Sequence, residues 1–217
     1  MKTKFNDMKL KIRIKRFKNE NGEPLVSFPK VIKKGDWVDL YSSEEMILNA
    51  PQAGTLKGHD VKHRDVVSEV TYIPLGVAMQ LPDGFEAIIA PRSSAAKKMG
   101  IICVNSIGIV DNSYQGDNDQ WMFPVTTLRK TSIAANTRLC QFRIQLSQKA
   151  TFWQKLKWFL SSGIELIEVE SLNNEDRQGL GSTGVNEMVL VYGICNYHNM
   201  VNHRHLCGNN INEILPQ

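Results

Sequence analysis

The sequence predicts an all-β protein of two packed layers, of the jelly-roll kind, with one short inserted helix. Three observations carry that expectation. Short runs rich in Val, Ile, Leu, Phe and Thr recur along most of the chain, separated by clusters of Gly, Pro, Asn, Asp and Ser, which is the rhythm of half-buried strands and turns. Only one tract, Thr151 to Leu160, repeats its apolar residues plainly at helical spacing. The 217 residues, 42% hydrophobic and 22% charged, have the make-up of a globular chain able to bury one substantial core.

The first strand falls at 9–17, where Leu10, Ile12 and Ile14 alternate with lysines and arginines. A period of two places the aliphatic residues on the core face and the cations on the open face, where they discourage edge pairing. Further strands are expected near 37–41, 66–80, 85–90, 100–105, 107–111, 121–129, 138–146 and 164–170. Residues 44–66, with Pro51, Gly54, Gly58, His59 and His63 and no clear period, read as a surface insertion. His59 and His63 have the i, i+4 spacing of a metal pair on a helix, but the glycines argue against a helix there. Pro91 ends the strand at 85–90, and Ser93 or Ser94 suits the N-cap of a short helical run through Met99.

Over 151–161, Phe152, Trp153, Leu156, Phe159 and Leu160 share one side of a helix that Gly163 would stop. This side is expected to dock over the end of the sheet or against another subunit. The tail, 186–217, opens with the strand-like Met188 to Tyr192 and then turns polar, and a poorly ordered extension is expected. Its Cys195, His198, His203, His205 and Cys207 offer zinc-type ligands in a spacing that matches no zinc pattern.

Charge and cysteine usage exclude several classes of function. A net charge of +4 is too small to argue for a nucleic-acid partner, and the basic excess at 9–17 is accounted for by a solvated strand face. No secretory signal or apolar run of 18 residues suggests export or a membrane. Cys103 and Cys140 sit in apolar strand patterns rather than a disulfide framework, so a reducing cytoplasm is the expected location.

Three tracts carry chemistry. Asn105 to Gly116, NSIGIVDNSYQG, reads as a β-hairpin able to hold one flat ring and one carboxylate. Gly108 lets backbone amides approach a ligand, Asp111 can orient a water as general base, and Tyr114 can wall a sugar. Upstream, Arg92 beside a capped helix start is a seat for phosphate, where dipole and guanidinium both favour an anion. Downstream, Gly179-Leu-Gly-Ser-Thr-Gly184 is a flexible linker or a loop that wraps phosphate with amides and hydroxyls.

In this order the tracts resemble the five motifs of the trimeric dUTPase family. Asp39-Leu-Tyr-Ser42 is similar to the first, Pro91 to Ala95 to the second, and Asn105 with Gly108 to Gly116 to the third. Arg138-Leu-Cys-Gln-Phe142 is similar to the fourth and Arg177 to Gly184 to the fifth. The resemblance spans roughly residues 9 to 185, and the second and third motifs are its most specific part. It implies a β barrel of the dUTPase type over 1–171, a glycine-rich arm over 172–185 that closes the site, and an extension of unknown role over 186–217.

The resemblance also implies hydrolysis of dUTP to dUMP and pyrophosphate by a homotrimer, with Mg²⁺ held by the triphosphate and waters rather than by protein ligands. Asp111 would be the general base. Asn105 and the backbone of Gly108, Ile109 and Val110 would read the uracil edge, and Tyr114 would pack on the deoxyribose. Arg92, Ser93, Ser94 and Gln141 would hold phosphates, with Asp39 orienting Arg92 or the water. Arg177, Leu180, Gly181 and Ser182 would close over the nucleotide. Leu180 departs from the family, which mostly places an aromatic there, and weaker closure over the base is expected.

Two other readings stand beside this one. A dCTP deaminase shares the fold and an Arg-Ser-Ser stretch, but Lys97 stands where an arginine is expected and Asp111 to Tyr114 suits the pyrophosphatase. A dUTP-sensing regulator with slow turnover and a protein partner would explain the 44–66 insertion, Leu180 and the tail.

Overall fold

Leu10, Ile12 and Ile14 are fully buried along β1 (Leu10–Arg16), while Lys11 between them is exposed, the alternation a half-buried strand requires. The structure is a computed structural model that describes residues 8–55 and 64–177, within one compact unit, Met1–Arg177. β1 pairs in parallel with β14 (Ile164–Glu168) and antiparallel with β7 (Val77–Gln80). A four-stranded sheet runs in the order β10 (Gly108–Val110), β8 (Phe85–Pro91), β13 (Arg138–Leu146), β2 (Val38–Tyr41). A third sheet sets β11 (Met122–Thr127) between β6 (Thr71–Pro74) and β9 (Ile101–Cys103).

Side chains from all three sheets meet in one core, among them Phe85, Trp121, Phe123 and Phe142. The Trp121 and Phe142 rings meet edge to face at 5.4 Å, an arrangement that adds to area burial. The all-β expectation with one short α-helix is met. Among the described residues the ladders form separate sheets and do not close into a barrel.

Several local expectations are corrected. The stretch 66–80 is three short strands, not one. β5 (Arg64–Val67) covers only its first two residues, and β6 and β7 join different sheets through a turn at Gly76. Gly76 has φ +63°, and a Cβ there would stand 2.9 Å from both Ser43 and Val26, so the chain must turn and cannot carry a side chain. The supposed loop at 44–66 holds β3 (Met46–Leu48) and β4 (Gln52–Thr55), the latter paired with β5, and β3 pairs with β12 (Thr131–Ile133). Strands of three or four residues are too short to display a period. His59 and His63 lie outside the described residues.

The helix α1 (Phe152–Leu160) is placed as expected, with Thr151 and Gln154 forming a reciprocal capping box. Of the two contacts expected for its apolar side, the one with the sheet end is not made by that side. The helix docks over the sheet end through Trp158, whose ring lies 5.4 Å from that of Phe85, while Gln154 sits against Gly84. At 100° per residue, Gln154 and Trp158 lie opposite the Phe152–Leu156–Phe159 side. That side therefore points outward, leaving Phe152, Trp153 and Phe159 70%, 73% and 83% exposed.

The two faces should separate by mutation. Trp158→Ala is expected to cost about 1–3 kcal/mol, less than a fully buried aromatic. Phe159→Ser should stay within about 0.5 kcal/mol. Denaturant midpoints at one protein concentration check this, and equal losses would place both faces in contacts.

Candidate active site

The strand ladders deliver the predicted residues to two places. At the first, Gln141 on β13 stands between Asp39 on β2 and Ala90 on β8, and Arg92 follows two residues later. Asp39 Oδ1 pairs with Arg92, whose Nε lies 3.0 Å away, and its Oδ2 accepts a hydrogen bond from Arg138 at 3.3 Å. One carboxylate thus aims Arg92 and partly cancels its charge. Arg92, Ser93, Gln141 and Asp39 line one wall of a cleft of about 360 Å³.

The other wall comes from residues 30–37: Lys30, Ile32, Gly35, Asp36 and Trp37. Trp37 is anchored by Arg143, whose guanidinium lies 5.1 Å from the ring centroid. The motif reading missed this wall, and its only signal is an unusually long, lysine-rich connection between β1 and β2.

The expected short helical run through Met99 is present, with Ser94 at its N-cap position. Residues 95–99 form a single helical turn, and the Ala95 N–H is donated to the Arg92 carbonyl at 2.9 Å. Ser94 makes no capping bond.

The second place is the turn after β10. The tract 105–116 is not a self-paired hairpin: β10 pairs with β8, Gly108 opposite Ile89 and Val110 opposite Ala87. Asn105 is exposed in the turn from β9, and Ile109 is exposed on the strand. Asp111 then opens a tight turn closed by the Tyr114 N–H on its carbonyl at 3.0 Å. The Ser113 hydroxyl and amide both donate to the Asp111 carboxylate. These bonds, then the charges of Arg177 and Lys149, hold it below its ordinary value, so it stays ionised and able to accept a proton. Tyr114 is half-buried against the core, with its hydroxyl donating to the Gln120 carbonyl at 3.0 Å, and burial pushes the phenol up.

Arg177 reaches Asp111, its guanidinium 3.7 Å from Oδ1, because the chain before it is tied down. The Asp117 carboxylate accepts the Ser171 hydroxyl at 2.6 Å and the Leu172 N–H at 2.8 Å and pairs with Lys15 at 3.3 Å. Buried Asp119 accepts the Gly116 and Arg177 amides, and Asp176 accepts Asn118. A Cβ on Gly116 would collide with Asp176, so only glycine permits this approach. Sequence offered no sign of Asp117 or Asp119, which hold Leu172 and Arg177, each more than fifty residues away. Leu180, Gly181 and Ser182 lie outside the described residues, as do the histidines and cysteines of the tail.

The two places do not meet within one chain. Asp111 follows the Val110–Ala87 pair and so lies beside Glu86, whereas Arg92 is six residues further along β8. At about 3.3 Å per residue the separation is roughly 20 Å. No hydrogen bond or ion pair among the described residues joins Asp111 to the Arg92 cleft.

The docking of 171–177 should be acid-sensitive. Chiefly the Ser171 hydroxyl, then the Leu172 amide, lower the Asp117 carboxyl to about 2, from an unfolded value near 4. A depressed carboxyl contributes stability that is full above about pH 4 and lost as pH falls through about 2. Hydrogen exchange at Leu172 is expected to rise over that window in the wild type. In Asp117→Asn it should already be raised at pH 7, with little further acid response. An unchanged wild-type profile would remove Asp117 from this role.

A family model described as dUTPase matches residues 59–157. The chain is 40% identical over 153 residues to the SPbeta prophage-derived deoxyuridine 5'-triphosphate nucleotidohydrolase YosS of Bacillus subtilis, covering 70% of this chain and 87% of that one. It is 33% identical over 120 residues to the deoxyuridine 5'-triphosphate nucleotidohydrolase of Finegoldia magna, covering 54% and 72%. Among solved structures it is similar to a dUTPase from Streptococcus mutans, with TM-score 0.47 and 18% identity over 62% of this chain and 93% of that one. By its likeness to the Bacillus protein over nearly the whole of that relative, the chain belongs to the dUTPase family.

Proposed function

We propose that this protein hydrolyses dUTP to dUMP and pyrophosphate, at a site assembled between copies of the chain. The observation that carries this reading is the pairing of an anion cleft around Arg92 with an ionised carboxylate, Asp111, that the same chain holds roughly 20 Å away. General-base catalysis needs the base within hydrogen-bond reach of the attacking water. A neighbouring copy must therefore bring its Asp111 to the Arg92 cleft, as in the homotrimer that the family resemblance implies. Exposed Ile102, Val104, Ile107 and Ile109 around the Asp111 half supply apolar surface for such a contact.

In this mechanism Asp111 takes a proton from the water as its oxygen bonds to the α-phosphorus. The bond from that phosphorus to the bridging oxygen breaks, and pyrophosphate leaves with the electron pair. Arg92, Ser93, Ser94 and Gln141 hold the phosphates, and Asp39 keeps Arg92 aimed. Asn105 and the backbone of Gly108, Ile109 and Val110 meet the uracil. β10 is an edge strand in its sheet, so its outer amides and carbonyls are available for a base. Tyr114 faces the deoxyribose, while Arg177 with Leu180, Gly181 and Ser182 covers the nucleotide. The Ser113 hydrogen bonds, with a smaller contribution from Arg177, favour the ionised form of Asp111.

Mg²⁺ fits this site as a passenger on the nucleotide. Arg92, Ser93 and Gln141 are donors suited to phosphate, and Asp39 is engaged by two arginines. Bound to triphosphate oxygens and water, the ion would supply neutralisation of the phosphoryl charge. A cytoplasmic location suits a nucleotide substrate. No described helix is long and apolar enough to cross a membrane.

One observation favours a second role, regulation through a protein partner: the apolar side of α1 faces away from the body that carries the site. Phe152→Ser with Phe159→Ser would then abolish partner-dependent effects and leave hydrolysis intact.

Asp111→Asn is expected to lower kcat at least a hundredfold while dUTP binding stays within about tenfold. The amide still holds the water but cannot take its proton. Pyrophosphate release and calorimetric binding check the pair of values, and retention of more than a tenth of the turnover would dismiss Asp111 as the base. Light scattering should give about three times the 24.5 kDa chain mass, and a monomer at micromolar concentration would contradict the shared site.

A further inference from the structure

The cleft that holds Arg92 is short of positive charge for a triphosphate. Its lining carries two acids, Asp36 and Asp39, and two cations, Arg92 and Lys30. Arg92 is already paired with Asp39 at 3.0 Å. Lys30 makes no ion pair or hydrogen bond with any described residue, although it lines the same cleft from the opposite wall. A neutral cleft binds a highly charged anion poorly, and a lysine on its lining with no described partner is the available remedy.

We propose that Lys30 forms a subsite for the terminal, pyrophosphate part of the nucleotide, on a wall built by the connection between β1 and β2. This rests on the dUTP reading of the Arg92 cleft and adds to it a residue outside the five motifs.

The connection is shaped to present this side chain. Trp37 is fixed by Arg143 at its far end. Gly35 has φ +124°, and a Cβ there would stand 3.4 Å from Ile32, so the backbone turns where only glycine is unstrained and Ile32 packs over it. Lys33 and Lys34 belong to the same run but do not line the cleft. The charge is therefore placed, and not merely abundant.

The pyrophosphate part is indicated because Arg92, Ser93 and Gln141 come from the end of β8 and from β13, whereas Lys30 lines the same cleft from the connection between β1 and β2 and adds a donor that those three do not supply. A lysine there binds as a point charge with three donors and tolerates the change from substrate to leaving pyrophosphate. It acts in the ground state and the transition state alike. Its removal is then a loss of uniform binding, which raises KM and leaves kcat nearly unchanged.

The test compares wild type, Lys30→Ala, Lys30→Arg and Lys34→Ala. For Lys30→Ala we expect KM for dUTP to rise about tenfold with kcat within about twofold. Inhibition by dUMP, which lacks the pyrophosphate, should be unchanged. Lys30→Arg should restore most of the affinity, and Lys34→Ala should match wild type. Calorimetric binding of magnesium pyrophosphate should weaken about tenfold in Lys30→Ala alone.

A KM for Lys30→Ala within twofold of wild type, an equal loss of dUMP affinity, or an equal effect of Lys34→Ala would each overturn the subsite. Wild type that binds magnesium pyrophosphate through Lys30 but leaves dUTP intact would refute the hydrolase reading and keep the subsite. Wild type that turns over dUTP with no dependence on Lys30 would do the reverse.

Discussion

Strand β8 is paired along both sides, with β10 and with β13, and that double ladder fixes where the chemistry can happen. One end of β8 presents Arg92 to Asp39 and Gln141. The other end lies beside Asp111 and receives the Asn112 side chain on the carbonyls of Pro82 and Phe85. A strand hydrogen-bonded on both sides cannot bend its ends together without breaking its ladders, each bond of which is costly to leave unmade inside a protein. The gap of roughly 20 Å is therefore a property of the sheet rather than of a mobile side chain.

The half of the site around Asp111 is organised by contacts distant in sequence. Arg13 on β1 donates to the carbonyls of Ser171 and Leu172, Lys15 pairs with Asp117, and Asp117 holds the Leu172 amide. Buried Asp119 accepts main-chain amides from both directions, which satisfies a carboxylate that would otherwise be costly to bury. The result is that Arg177 is delivered to Asp111 by the backbone. From there the chain continues into the glycine-rich tract that the family motif assigns to closure.

Much of this was legible in the sequence. The alternation at Leu10, Ile12 and Ile14 gave β1 its faces, the helical spacing at 152–160 gave α1, and the order of Arg92, Asp111 and Gln141 gave the family. Strands of three or four residues at 46–48, 52–55 and 131–133 were not legible, because they owe their form to partners and not to a period of their own. Which of the two expected contacts the apolar side of α1 makes was not legible for a related reason: periodicity shows that a helix has an apolar side, but not which side meets the sheet. Trp158, off that side, packs on Phe85. The motif residues were found one by one, but their division between the two ends of β8 needed the register, as did the wall from Lys30 to Trp37.

The shared site is tested most directly by mixing two inactive proteins. Arg92→Ala lacks a working cleft and Asp111→Asn lacks the base, so each homotrimer should be inert. Co-expressed in equal amounts and assembled at random, the two chains leave half of all clefts and half of all carboxylates intact across the population. Where each site takes one from either copy, about a quarter of the wild-type activity should return. No recovery in mixed trimers whose composition is verified by mass would mean that one chain supplies both groups, and β8 would not be a spacer between two half-sites.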